Sequence, residues 1–475
     1  MNVDKMVIGL IVGNRGFFPG SLVEEGRKRV LSVFEKMGIE VVTLSPQDTK
    51  YGAVENIEDA EKCARLFKEH ADRIAGIVVT LPNFGDERSA ATAIRLSGLN
   101  VPVLVHAFSD DLKKLGIESR RDSFCGKISL CNNLVQYGIP FSDTTEHVED
   151  PESEEFKKDI DHFLTVCRIV RGLKNVKIGA IGARPAAFNT VRFSEKILER
   201  YGVTVETIDL SEIIARACSF DSKSSELSQE LEKLKSAFKP RGIPTEALDK
   251  MARLAAAVRG WMKENKINAM AFQCWTALEA LYGIVPCAVM SIFSESLIPS
   301  ACEMDVMGAL SMYVLQLASN SPSALMDWNN NYGDDPEKAI MFHCSNFPKS
   351  FFESCQMSYQ AIIAGTVGKE NTYGTCTGKI AAGPATFLRL SSFDNEGTIA
   401  GVIAEGEFTN DSLKTFGGYG VAHIPQLRSL LRIITQYGFE HHVAVSKSLV
   451  KDAIIEALEK YKGWEIFTVN SCNCH

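Results

Sequence analysis

The sequence predicts an α/β protein of 475 residues: two Rossmann-like parallel-sheet domains followed by a β-rich C-terminal domain built on an antiparallel sheet or barrel. Three observations carry this. Strand-like runs in the first 300 residues are continuously apolar and alternate with helical periodicity, the mark of strands buried on both faces. A second run of the same kind restarts at VKIGAIGARP. The last third strings strands together with few helices between them.

In order, MVIGLIVG is the first strand, and the helical pattern LVEEGRKRVLSVFEKMG follows, ending at Gly38. IEVVTLS, the charged helix AEKCARLFKEHAD, the strand IAGIVVTLP, the helix SAATAIRLSG and the strand VPVLVHAF complete an N-terminal domain over residues 1–173. The acidic stretch HVEDPESEEFKKD leads into its last helix. The second domain, 174–318, runs through VKIGAIGARP, a helix over 190–202, the strand TVETIDL and two charged helices around 222–264. INAMAFQCW, a short helix TALEALYG and the strand VPCAVMSI close it; the polar segment 219–248 reads as an exposed excursion. A helix EMDVMGALSMYVLQLAS, with Glu303 in its first turn, joins this domain to residues 319–475. There SALMDW, AIMFHCSN, TGKIAAGPATFLRLS and TIAGVIAEGEFT read as successive strands, and a helix near 425–437, HHVAVS, a further helix and WEIFTVN end the chain.

Composition narrows the function. A formal net charge of −8 lacks the basic footprint that sequence-independent nucleic-acid binding needs. No apolar run reaches the length of a membrane span, and Asp4 before the first strand speaks against a signal peptide. Thirteen cysteines scattered singly through apolar segments read as reduced thiols of a cytoplasmic protein, mostly small core residues. The tail Cys472-Asn-Cys474-His475 lacks a second pair of ligands and reads as incidental.

The chemistry-bearing residues sit at the edges of apolar runs in the C-terminal half: Glu303, Asp327, His343 and the pair His441-His442. Each has a bland reading, as a helix-start acid, a turn residue, a core histidine or a packing residue. Together, two carboxylates and imidazole suit a divalent cation such as Mn²⁺, and the same carboxylates can move protons. Neighbours in a strand face opposite sides, so one of the two adjacent histidines points at a shared pocket. Gln273 and Trp275 end a strand at the C-terminal edge of the second sheet, where α/β proteins place ligand contacts, and amide plus indole suits a sugar. GNRGFFPG lacks the spacing of a dinucleotide loop, which weakens a nicotinamide-oxidoreductase reading. IGARPAAFNT is a strand–helix turn able to receive an anion, and FGGYG (416–420) reads as a flexible loop.

At these residues the chain resembles a known family. ACEMDVMGALSMYVLQLA followed by ALMDW resembles the L-fucose isomerase pattern of a glutamate opening a helix and an aspartate ending the next strand, here 24 residues apart. IMFHCSN and HHVAVS resemble L-arabinose isomerase, in which a strand histidine and the second histidine of a pair bind the metal. The resemblance, to a divergent L-fucose isomerase-like member, implies an aldose–ketose isomerase working on an open-chain sugar through a cis-enediol with Mn²⁺ or another divalent cation. It implies Glu303 and Asp327 as metal ligands and acid/base pair, His442 as third ligand and His343 as a fourth; Gln273, Trp275 and His441 are read beside them as substrate-binding residues. It also implies a homo-oligomer, hexamer or trimer, in which Arg15 reaches a neighbour's substrate. The competing reading is a cytoplasmic, non-catalytic sugar-binding or sensor protein on tandem α/β domains, which leaves the C-terminal ligand set idle.

Overall fold

The computed structural model describes residues 6–240 and 242–469. The chain divides into two compact units, 1–171 and 172–475. In the first, β1 (Val7–Val12), β2 (Glu40–Thr43), β3 (Ile74–Leu81), β4 (Val103–Ala107) and β5 (Ser142–Asp143) form a parallel sheet of order 2-1-3-4-5. Every residue of β1 and β3 is buried, as continuous apolarity predicts. The two-residue strand period sends Val7 and Ile11 into one core, and Ile8, Leu10 and Val12 into another on the opposite face. Helices Ile57–Glu69 and Glu87–Ser97 start where Asn56 and Asp86 accept hydrogen bonds from Asp59 N and Ser89 N, at 3.1 and 2.8 Å.

The second unit opens with a parallel sheet of order 7-6-8-9: β6 (Val176–Ile181), β7 (Val203–Ile208), β8 (Ala269–Phe272) and β9 (Ser300–Cys302). The remaining strands are β10 (Ser323–Asn331), β11 (Lys338–His343), β12 (Phe352–Tyr359), β13 (Tyr373–Ile380), β14 (Gly383–Phe393), β15 (Thr398–Phe408), β16 (Gly418–His423), β17 (His442–Ser446) and β18 (Glu465–Phe467). They form one mixed, mostly antiparallel sheet of order 12-13-16-11-10-17-14-15-18. A further pairing, Phe408 with Ala422 and Glu407 with His423, joins β15 back to β16. That contact closes β16, β11, β10, β17, β14 and β15 into a barrel, which removes their free edges. One apolar core runs from the helix Thr245–Asn265, through Met251 and Trp261, to Phe347 and Phe387 beside the barrel.

Several expectations are corrected. VPCAVMSI is not a strand but the start of the helix Cys287–Glu295, buried through Ser294; an all-apolar run cannot show its period, and Pro286 suits a helix start. The helix carrying the next segment begins at Val306, so Glu303 stands before it and not in its first turn. Asp305 is the residue that caps it, accepting from Gly308 N at 2.7 Å. TGKIAAGPATFLRLS is two strands, split between Ile380 and Gly383. FGGYG is a loop only as far as Gly417; Gly418–Gly420 begin β16 and pair with β11. The segment 219–248 is no solvent excursion throughout, because the helix Ser225–Phe238 buries Leu227, Leu234 and Phe238. The Cys472–His475 tail lies outside the described residues. Among the described residues, no helix is long and apolar enough to cross a membrane.

Candidate active site

Register brings the expected residues together. In the barrel, Asp327 of β10 pairs directly with His442 of β17 and, on its other side, with Phe342 of β11, next to His343. Directly opposed residues on antiparallel strands hold their side chains about 4.5–5.5 Å apart, so this register presents Asp327 and His442 on one face. Glu303 arrives from the parallel sheet, one residue past β9. Glu303 and Met304 both adopt left-handed backbone, φ 62° and 61°, which non-glycine residues rarely do. The cost is met by local bonds: Met304 N donates to Phe272 O, and Asp305 N to Cys302 O. This turn aims the Glu303 carboxylate back towards the barrel strands.

His442 Nε2 lies 3.2 Å from Glu303 Oε2 and 3.5 Å from Asp327 Oδ1. His441 Nε2 is 3.9 Å from the same Asp327 oxygen. The His343 and His442 rings stand 5.8 Å apart, and ligand atoms of Glu303, His343 and His442 all fall within 4.8 Å of one another. Atoms of Asp327, His441 and His442 form a second such group around the same imidazole. Glu303 Oε1 accepts from Trp275 Nε1 at 3.0 Å. Phe188, from the loop after β6, packs edge-on to Trp275 and His441, at 5.8 and 5.6 Å, and also covers His442.

Of the other expected residues, Gln273 uses its Oε1 to accept from Ala183 N at 2.8 Å, so it anchors the loop that delivers Phe188. Arg15 belongs to the first unit, where its Nε donates to Gly85 O, its guanidinium pairs with Glu87, and it lies over the Phe84 ring. His441 is the exposed member of the histidine pair and His442 the buried one.

A layer beneath was not foreseen. His442 Nδ1 is 2.8 Å from Asp305 Oδ2, and the same carboxylate pairs with Arg389 of β14. Arg389 Nε donates to Glu440 at 2.8 Å, and Ser391 Oγ donates to the same oxygen of Glu440. Asp305 and Arg389 are fully buried. A carboxylate on Nδ1 fixes which imidazole nitrogen faces the cluster, leaving Nε2 for it. Only the capping role of Asp305 is visible locally; its partners lie 84 and 137 residues away.

Electrostatics follow from this packing. Burial pushes the Glu303 carboxyl up, but His442, His343 and the Trp275 N–H outweigh it and hold it at about 2. Burial likewise lowers His442, yet Asp305 and Glu303 carry it up to about 10. His343 is raised to about 9, its burial being overcome by Cys344, Asp327 and Glu303. His441 is lowered, by burial and then by the charge of His442. Although His442 Nε2 is close to both carboxylates, neither is aligned as a hydrogen-bond acceptor, and both Nε2 and Asp327 Oδ1 are buried without a hydrogen-bond partner. An unpartnered imidazole nitrogen and an unpartnered carboxylate oxygen beside a third ligand type could together hold a cation. A separate cleft of about 1020 Å³, lined by Arg184, Arg192, Ser391 and Glu440 among others, shares Ser391 and Glu440 with the layer beneath but none of the clustered ligands.

Residues 9–174 match the family model for the fucose/sulfoquinovose isomerase N-terminal domain, and residues 341–469 that for the L-fucose isomerase C-terminal domain. A sulfoquinovose isomerase of Clostridium sp. (strain MSTE9) is 28% identical over 312 residues, 64% of this chain and 67% of that protein. Sulfoquinovose isomerases of Priestia aryabhattai and Alkalicoccus urumqiensis are 22% and 23% identical, over 51% and 52% of this chain. The chain spans 53% and 54% of the length of those two.

Proposed function

Because the chain belongs to the fucose isomerase family by the domains at both its ends, we propose that it is a metal-dependent aldose–ketose isomerase acting on an open-chain sugar through a cis-enediol. The observation that carries this reading is the convergence of Glu303, Asp327 and His442 from distant parts of the chain, with Asp327 Oδ1 and His442 Nε2 both left without hydrogen-bond partners.

The oxygen and nitrogen donor set fits a divalent cation such as Mn²⁺, held by Glu303, Asp327 and His442 with His343 alongside. Such a cation supplies Lewis-acid polarisation of the sugar carbonyl and its neighbouring hydroxyl. The proton work falls to the carboxylates. One takes the proton from C2 of the aldose, the electron pair shifts to give the enediol, and the other returns a proton to C1. The hydroxyl proton moves from O2 to O1, so nothing is oxidised overall. Either carboxylate can take the proton; Glu303 is held ionised, which keeps it free of a proton but makes it a weaker base than an ordinary glutamate. Trp275 and Phe188 wall the site with aromatic faces that suit a sugar ring or chain. The reading extends to a cytoplasmic homo-oligomer, trimer or hexamer.

The test is metal dependence on a panel of aldoses that includes sulfoquinovose, L-fucose and L-arabinose. Chelation should abolish ketose formation and Mn²⁺ restore it; no turnover of any aldose with the metal bound would refute the enzyme assignment. Sulfoquinovose leads the panel because it is the substrate named for the relatives.

A second expectation concerns pH. His442 and His343 are held protonated to about 10 and about 9, and a ligating imidazole must be neutral. Cation binding below those values therefore displaces protons, and the sign is fixed: affinity rises with pH. Between pH 6 and 8 the apparent Kd for Mn²⁺ should fall by up to about tenfold per pH unit for each proton displaced. Calorimetric titration in two buffers of different ionisation enthalpy measures the protons released; an affinity independent of pH would remove the histidines from the ligand set.

A further inference from the structure

On the face of β10 opposite Asp327 lies a cleft that the isomerase reading does not use. Its volume is about 470 Å³, inside the roughly 300–1,000 Å³ range of small-molecule pockets. It opens between the hairpin joining β10 to β11 and the start of the helix Leu427–Tyr437. Side chains alternate along a strand, so Trp328 turns away from the face that carries Asp327. There it pairs with Met341 of β11 and packs on Phe387 of β14, with ring centroids 5.7 Å apart. The cleft shares no lining residue with the cluster of Glu303, Asp327, His343 and His442.

Its lining offers one apolar face and a row of spare amides. Trp328 is half-buried, yet its indole N–H has no hydrogen-bond partner among the described residues, whereas an indole so placed ordinarily finds one. Leu427 and Leu431 lie across from it. Beyond the indole the ladder is irregular: Trp328 pairs with Met341 and Asn330 with Ile340, so Asn329 is an extra residue with nothing opposite it. Bulges of this kind re-aim side chains next to sites. Asn329, Asn330 and Asn331 all line the cleft. Asn331 N donates to Asn330 Oδ1 at 2.9 Å, and Asn331 Nδ2 to Gly333 O at 2.7 Å. The Nδ2 of Asn330, the Oδ1 of Asn331 and the whole amide of Asn329 have no partner among the described residues, so donors and acceptors stand ready together. The charges of the lining cancel, Asp334 and Asp335 against Lys338 and Arg428. Lys338 is moreover held by Asp335 and Asp411, at 3.7 and 2.8 Å.

We propose that Trp328 and the three asparagines form a non-catalytic site for a neutral sugar in its closed pyranose form. A pyranose presents an apolar C–H face that stacks on an indole, and a rim of hydroxyls that each donate and accept, as the amides do. An anion needs donors alone and a cation acceptors alone, and the balanced charge here favours neither. The site takes the ring, whereas the isomerase reading requires the open chain, and it does not rest on that reading.

The test uses the full chain, freed of metal by chelation, with the methyl α-glycosides of D-glucose, D-mannose and D-galactose. A glycoside cannot open to the aldehyde, so it cannot serve as an open-chain substrate. Saturation-transfer NMR on the ring protons reads binding. The expected result is saturable transfer to at least one glycoside, with affinity lowered about tenfold in Trp328→Ala, the worth of a stacked aromatic contact, and unchanged in Trp275→Phe. No saturable transfer to any of the three, or equal affinity in Trp328→Ala, overturns the site. Binding lost in Trp275→Phe places the glycoside in the cation cluster and overturns it too. Adenosine tests the ligand class: saturable transfer to it, with none to the glycosides, overturns the sugar. If circular dichroism shows that Trp328→Ala does not fold, Asn329→Ala and Leu431→Glu, both at exposed positions, are read in its place. Affinity weakened in both supports the site, and affinity unchanged in either overturns it. Turnover is not measured, so failure here leaves the isomerase assignment standing.

Discussion

Glu303→Gln is expected to lower turnover by roughly 10²–10⁴-fold, the usual worth of a positioned general acid–base group, with little change in the fold. The amide is the same size as the carboxyl and its oxygen can still accept from Trp275 Nε1, so the indole stays in place. What disappears is the charge of the group held ionised beside His442, and with it one charged ligand of the cation proposed above. Asp327→Asn should behave alike, because it removes the other carboxylate facing the same nitrogen. Steady-state kinetics at saturating Mn²⁺, with metal content measured on each variant, separates lost chemistry from lost metal. A Glu303→Gln enzyme that turns over normally would refute its role in proton transfer.

Arg389→Met should be the most damaging change away from the clustered ligands, destabilising the protein by about 3–5 kcal/mol. Arg389 pairs with Asp305 and Glu440 inside the protein, and its own charged form is favoured because both carboxylates outweigh the cost of burying it. Removing it strands the Asp305 carboxylate, with His442 as its remaining charged partner, in a place that water does not reach. Chemical denaturation reads the loss. The double variant Arg389→Met with Asp305→Asn should recover part of it, because the stranded charge goes too. Equal stability of Arg389→Met and the parent would show that the ion pair carries no net weight. The same substitution should loosen the orientation of His442 and weaken Mn²⁺ binding.

The contrast between these two predictions marks what a single sequence can show. Continuous apolar strands made both parallel sheets legible, and β1 and β3 are buried along their whole lengths as that pattern requires. Glu303, Asp327, His343 and His442 were legible as ligand types at the ends of apolar runs, and barrel register and the turn after β9 bring them into one cluster. Arg389 and Glu440 were not, because an arginine in TFLRLS looks like any outward residue of a half-exposed strand; only the partner, 84 residues away, turns it inward. VPCAVMSI shows the opposite failure: burial on every side erases the period that separates helix from strand.

The position of β17 has a consequence for the order in which the protein can be made. This strand, later in the sequence than either neighbour, lies between β10 and β14, both synthesised well before it. Until residue 446 has emerged, each of those strands presents a bare hydrogen-bonding edge, and His442 has not joined Glu303 and Asp327. A nascent chain therefore carries two sticky, unpaired strands for more than fifty residues of synthesis after β14 is complete. The edges of β10 and β14 are covered only once β17 pairs with both.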